Sequence, residues 1–304
     1  MSNVIITGGA GFIGSHLARR LLKEGYHVTV IDNLKTGKKE FLSECFENQN
    51  FKFVFADLLK DEIDKYFKGI DTVFHFAADS DVRTGVKNPK KQIEENIIAT
   101  HRVLECMREI GVKRIVFTSS STVYGEARKI PTPEDYSPLE PVSIYGATKL
   151  SCEALISAYC HTFDMEGVIF RLANVIGKPV THGVIYDFIQ KLKKNPNELE
   201  ILGDGEQNKS YIDVDDCIDA IFVGIRHAKK PFDVFNVGSD DTIKVRRIAE
   251  IVSESMGLKP RFVFTGSKYG WKGDIPVMLL DTTKLKRFGW KPKYTSEEAV
   301  KRCF

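Results

Sequence analysis

The 304 residues carry 44 Lys+Arg against 41 Asp+Glu, a net charge of +3, and no segment gathers the basic residues into the stripe that tracks a phosphate backbone, so a nucleic-acid partner is not expected. This length accommodates one large α/β domain, or a domain of about 170–200 residues with a smaller one attached. No 18 consecutive apolar residues occur, which excludes a helical membrane span.

Met1 runs directly into the first predicted strand, so no leader is expected. The six cysteines (Cys45, Cys106, Cys152, Cys160, Cys217, Cys303) are scattered without a C-x-x-C pair, so neither a zinc site nor a disulfide framework is indicated. A reducing, cytoplasmic location is expected.

Apolar, β-branched runs recur in chain order as NVIIT (3–7), HVTVID (27–32), FKFVFAD (51–57), DTVFHFAA (71–78), RIVFTSS (114–120) and VIFRLANV (168–175), with helix-length segments between them. Runs apolar on both faces suit strands buried on both sides of a parallel sheet, and the alternation with helices requires right-handed crossovers. The first half therefore reads as α/β, a doubly wound sheet. From about residue 176 the rhythm weakens into Gly-, Pro-, Lys- and Asn-rich stretches, read as a smaller substrate-binding lobe. FDVFNVG (232–238) predicts a further strand for the main sheet. The expected division is 1–175, rejoined by about 211–239, for the nucleotide domain, and 176–210 with 240–304 for the lobe.

TGGAGFIGSHLARRLL follows the first strand and opens a helix, with Gly8, Gly11 and Gly14 at three-residue spacing. Gly8 permits a tight turn, Gly11 lets backbone N–H groups approach a pyrophosphate, and Gly14 lets the helix lie close on the sheet. Asp32 closes the second strand, where a carboxylate accepts ribose hydroxyls and repels a 2′-phosphate, favouring NAD over NADP. Its alternative is to cap the following segment. Asp57 and Leu58, past the third strand, are placed to meet an adenine or to be ordinary loop residues.

SIYGATK puts Tyr145 and Lys149 at i and i+4 on one face of a helix predicted to run through about residue 163. A phenol is a poor base at neutral pH, but a neighbouring ammonium and the positive nicotinamide ring both favour its anion. Lys149 is also placed to hold the nicotinamide ribose.

TGGAGFIG, the serine run before VYG, YGATK, FRLANVIG and GDGEQNKSYIDVDD together resemble the extended short-chain dehydrogenase/reductase family, and within it the nucleotide-sugar epimerases of UDP-glucose 4-epimerase type. The resemblance covers nearly the whole chain and implies a Rossmann domain, bound NAD, a nucleotide-sugar substrate, most simply a UDP-hexose, and a homodimer. Matching the serine run through VYG implies Ser120 as the catalytic serine, 25 positions before Tyr145, with Ser119 at the nicotinamide end. It further implies cofactor contacts from Phe12, Ile13, Asn33, Phe76, Ala77, Ala78 and Asn96. By chemistry alone Asn96 is equally a helix residue facing solvent.

Related dehydratases carry an Asp-Glu pair, or at least a Glu, after the catalytic Ser or Thr, because expelling a hydroxyl and abstracting a carbon-bound proton need an acid and a base. Here those positions are Ser121 and Thr122. The related decarboxylases also place a Glu where Thr122 stands. Redox epimerisation at sugar C4 is the reaction left.

In the lobe, the resemblance implies that Asn174, the stretch HGVIYDF with Val184, and Lys209 and Tyr211 approach the nucleotide and sugar. Two departures from relatives stand out: Lys209 replaces an arginine, exchanging a planar fork for a point charge, and Trp271, followed by Lys272, stands where relatives often have Arg before x-G-D. Trp271 either stacks on a base or ribose or covers the lobe's core. Met278 falls where the family sets space around the sugar's 2-substituent, and its flexible thioether is no evident barrier to an N-acetyl group. Apolar stripes at Ile93, Ile97, Leu104 and Met107, and at Leu150, Leu155 and Ile156, serve packing on the sheet or, as the resemblance implies, a four-helix bundle with a second copy.

Overall fold

The computed structural model describes residues 2–304. Its strands are β1 (Asn3–Thr7), β2 (His27–Asp32), β3 (Phe51–Phe55), β4 (Thr72–His75), β5 (Arg114–Ser120), β6 (Glu166–Leu172), β7 (Asn174–Ile176), β8 (Glu198–Ile201), β9 (Asn208–Lys209), β10 (Tyr211–Asp213), β11 (Phe232–Val237), β12 (Ile243–Lys244), β13 (Arg261–Phe264) and β14 (Val277–Met278). Seven of them form one sheet in the order β11-β6-β5-β4-β1-β2-β3. The pairings β1–β2, β1–β4, β2–β3 and β4–β5 are parallel, so the strand order reverses direction between β1 and β4, where ligands of doubly wound sheets bind.

Each run predicted for the main sheet appears there, with one change. VIFRLANV divides: its first part ends β6 at Leu172, and Asn174–Ile176 is β7, paired in parallel with β10 in a separate small sheet. The central strands are buried, whereas β3 lies at the edge and leaves Phe55 69% exposed. Helices Phe12–Lys23, Ala99–Ile110 and Ile144–Thr162 serve the crossovers. Gly111, at φ +87, closes the second of these: its own N–H and that of Val112 both reach the Met107 carbonyl at 2.9 Å.

The chain divides into two compact units. The first takes residues up to Ser120, Ile144–Arg171 and Ile221–Phe235; the second takes Ser121–Ser143, Leu172–Ala220 and Asn236–Phe304. The second therefore begins earlier than the composition suggested and includes 121–143. Thr132 is the reason: its N–H bonds the Leu279 carbonyl at 2.9 Å, and its own carbonyl accepts from Asp281 N–H at 2.9 Å. Pairing with a segment about 150 residues away leaves no local trace in the sequence. The return to the first unit starts at Ile221, inside the helix Val214–His227, rather than near residue 211.

In the first unit, Lys149, Cys152, Glu153, Ile156 and Cys160 form the buried face of the helix Ile144–Thr162. Glu153 meets Arg171 of β6 there: Nη2 donates to Oε2 at 2.7 Å and Nε to Oε1 at 3.0 Å, with the side chains only 5% and 6% exposed. Removing one partner strands the other's charge away from water, which costs about 3–5 kcal/mol. Glu153→Ala should accordingly lower the unfolding free energy by about that amount in a denaturant titration, against less than about 1 kcal/mol for an exposed glutamate such as Glu94.

Candidate active site

The strand β1 delivers its chain into the glycine loop. Gly8 has φ +69, and a Cβ on it would stand 2.6 Å from Ala77 N; one on Gly14 would stand 2.4 Å from the Gly8 carbonyl oxygen. Both positions exclude side chains by contact with backbone. Gly11 is the N-cap of the helix Phe12–Lys23, has no side-chain cap to offer, and is followed by no acidic residue in the first turn. Such a helix terminus, with its N–H groups and positive dipole end, suits a pyrophosphate.

Asp32 fills the capping role that its position offered. Its Oδ2 accepts Ala10 N–H at 2.9 Å and its Oδ1 accepts Leu34 N–H at 2.8 Å, tying the glycine loop to the loop after β2. Each oxygen keeps a second lone pair for a ribose hydroxyl. Burial raises its pKa, and the two N–H bonds oppose that rise. Asn33 Nδ2 donates to Asp57 Oδ2 at 3.3 Å, so two residues expected to contact the cofactor meet each other. Leu58 instead buries its side chain in the main core.

Beyond β4, Phe76 N–H bonds the Thr7 carbonyl at 3.0 Å, and Ala77 lies against Gly8, which brings the predicted segment 76–78 beside the glycine loop. Ser119 Oγ is buried with no hydrogen-bond partner among the described residues. A buried orphan hydroxyl is costly, and a polar ligand group at the nicotinamide end would relieve it. Asn96 is 2% exposed, which removes the solvent-facing alternative. It sits in a π-helical turn, Ile93–Ile98. Its Oδ1 accepts Asp79 N–H at 2.8 Å and its Nδ2 donates to Thr148 Oγ1 at 2.8 Å, joining the loop after β4 to the tyrosine's helix.

Ser120, at the end of β5, hydrogen-bonds Tyr145, which lowers the phenol's pKa, but burial dominates and holds it above its usual value. Lys149 is 3% exposed and donates from Nζ to the Thr118 carbonyl at 2.8 Å. Its ammonium lies 4.6 Å from the Phe117 ring centroid and 5.9 Å from that of Tyr145. Among the described residues the lysine makes no direct bond to the phenol. Burial pulls its own pKa down to about 8. His75, beneath, is pushed to about 3 by burial, with the Lys149 charge adding to the effect, so it is a neutral strut between Thr7 Oγ1 (2.7 Å) and Thr100 Oγ1 (2.9 Å).

A model of the NAD dependent epimerase/dehydratase family matches residues 4–238. The chain belongs to this family. It is 32% identical to the UDP-glucose 4-epimerase of Lactobacillus helveticus, over 98% of this chain and 94% of that one. Among solved structures, a UDP-galactose 4-epimerase superposes with a TM-score of 0.89 at 43% identity, covering 99% and 97% of the two chains. The UDP-glucuronic acid 4-epimerase of Bacillus cereus, in complex with UDP-glucuronic acid and NAD, superposes with a TM-score of 0.90 at 30% identity, covering 99% and 97%. The cofactor of this epimerase/dehydratase family is NAD, and the glycine loop, Asp32 and the orphan Ser119 hydroxyl fit it.

The second unit places its predicted residues on neighbouring short strands, one helix and one loop. Asn174 pairs with Tyr211 in the β7–β10 ladder, and Lys209 with Met278 in the β9–β14 ladder. Lys209 Nζ is held by Asp274 Oδ1 at 2.5 Å and lies 5.1 Å from the Trp271 ring centroid. Trp271 is 38% exposed and lines a cleft of about 550 Å³ with Tyr269, Lys272 and Val142, so it is no core cover. Val184 packs against the apolar cluster that contains Tyr211. Asp274, with its side chain 2% exposed, was missed by the sequence reading, although its place two residues after Lys272 in WKGD was open to view.

A lysine whose folded pKa is below its unfolded one holds fewer protons when folded, so stability rises with pH between the two values. For Lys149 the window is pH 8 to 10.5. The unfolding free energy of the protein relative to its Lys149→Met variant should increase across that window and stay flat from pH 6 to 7.5; a flat difference throughout excludes a strained buried cation.

Proposed function

We propose that the protein is a nucleotide-sugar 4-epimerase of the UDP-glucose/UDP-galactose type. The observation that carries this is the Ser120–Tyr145 pair beside the Lys149 charge, followed by Ser121 and Thr122 where a dehydratase needs carboxyl groups. Bound NAD supplies a two-electron oxidation and its reversal at sugar C4. Tyr145, as its anion, takes the proton of the 4-hydroxyl and later returns it. Ser120 holds that same oxygen by a hydrogen bond, and Lys149 stabilises the anion through space. The phenol's own surroundings raise its pKa, and the positive ring of a bound oxidised cofactor would favour its anion.

The nucleotide diphosphate falls to the second unit. Lys209 is already partnered by Asp274, which leaves Lys272 and the exposed Trp271 ring as groups with room for a new contact. The similarity to UDP-glucose and UDP-galactose 4-epimerases supports UDP-hexoses as substrates and a role in galactose metabolism. All six cysteines are free thiols, which fits a reducing compartment such as the cytoplasm, and no helix among the described residues is long and apolar enough to cross a membrane.

Purified protein given no added NAD should interconvert UDP-glucose and UDP-galactose, read by chromatographic separation of the products. Activity that appears only with added NAD, with net NADH formation, identifies a dehydrogenase instead. Acetylated UDP-hexoses in the same panel test whether Met278 admits them. Tyr145→Phe should lose about 10²- to 10⁴-fold in turnover yet keep its bound NAD.

A homodimer is part of this proposal. Leu104, Met107 and Ile156 of the apolar stripes are buried in the main core, but Ile93 and Ile98 remain 43% and 44% exposed, and Phe163 39%. These three side chains favour coverage by a second copy. Ile98→Glu should shift the protein from dimer to monomer in light scattering; a wild-type monomer overturns the dimer alone.

A further inference from the structure

The catalytic and glycine-loop residues leave one feature of the first unit unused, a line of alternating charges at the C-terminal ends of its strands. Lys35, in the loop after β2, contacts Asp57 past β3 at 3.3 Å and Glu95 at 2.9 Å. Lys91 lies 3.9 Å from Glu95 and 3.0 Å from Asp79, which follows β4. The line therefore runs Asp57, Lys35, Glu95, Lys91, Asp79.

Sheet order gives this line its significance. Between β2 and β4 stands β1, whose C-terminal end carries the glycine loop. A direct contact from the β2 loop to the helix turn after β4 must cross above that loop. The β2 loop is already laid against it: Lys38 N–H bonds the Ala10 carbonyl at 2.9 Å, and a Cβ on Gly37 would stand 2.9 Å from Ala10 C. On the far side, the π-helical turn carries Glu95 beside Asn96, whose side chain clasps the backbone of Asp79. Both ends of the line are thus anchored to buried structure, while its central side chains are free to part, Lys35 being 45% and Lys91 42% exposed.

We propose that Lys35, Glu95 and Lys91 form an electrostatic strap across the dinucleotide crevice that retains NAD between turnovers. It rests on the dinucleotide lying along the glycine loop. An epimerase that returns its electrons to the same substrate has no need to exchange cofactor, and a strap that opens only by parting ion pairs slows that exchange. Because the pairs are partly exposed, each is weak and screened by salt.

The test is release of bound NAD, followed as exchange of carried cofactor for an excess of isotopically labelled NAD, at low ionic strength and near 1 M NaCl, where the Debye length falls to about 3 Å. Lys35→Met and Glu95→Gln should each speed release by about 3- to 10-fold at low ionic strength. The two together should do so by less than the product of the single effects, because they break the same contact. At high salt the wild type should release NAD as fast as the variants. Unchanged release from Lys35→Met at low ionic strength overturns the strap, and so does slower release, which shows Lys35 competing with the cofactor for Asp57. A wild type that holds no NAD under either condition overturns the cofactor assignment together with the strap.

Discussion

A buried positive charge organises the first unit. Lys149 carries its ammonium into the interface between the helix Ile144–Thr162 and the sheet, where among the described residues only the Thr118 carbonyl, at 2.8 Å, takes a hydrogen bond from it. An amine so placed tolerates little displacement, since any shift leaves it either unbonded or against Phe117. One turn along, Glu153 and Arg171 add a second buried charge contact between the same helix and β6. Together they set the rotation and height of the helix, and so the place of Tyr145 against Ser120. The Tyr145–Ser120 contact and folding stability here depend on the same few atoms.

The cofactor side is built on contact between backbones. Gly8 touches Ala77, Gly14 touches the Gly8 carbonyl, and Asp32 binds N–H groups from both flanking loops. His75 joins β1 to the helix Ala99–Ile110 through two threonine hydroxyls, and Asn96 joins the β4 loop to the tyrosine's helix through a third. These polar bridges hold loops at the strand ends, where hydrophobic packing is thin, and each satisfies donors and acceptors that burial would otherwise leave unpaired.

In the second unit Lys209 and Trp271 lie together. Lys209 turns its ammonium toward one carboxylate, that of Asp274. Trp271 then lies beside that neutralised pair, with its ring partly open to the cleft. An arginine fork could bind Asp274 and still present free N–H groups to a ligand; a lysine in this geometry presents fewer.

The amino-acid sequence by itself determined the order of the main strands, the glycine loop, the Tyr145 helix and the absence of a carboxylate after Ser120, because all of these are written in local periodicity and short spacing. It also carried the family, through several motifs at once. Tertiary structure alone decided the rest, for the reason that the partners are far apart in the chain. The capture of 121–143 by the second unit depends on Thr132 meeting residues 279–281. The split of VIFRLANV depends on Asn174 finding Tyr211, and the fate of Lys209 on Asp274, 65 positions away. That Lys149 addresses the Thr118 carbonyl and leaves Tyr145 to Ser120 follows from how the helix seats on β5, a matter of packing that i and i+4 spacing permits but does not choose.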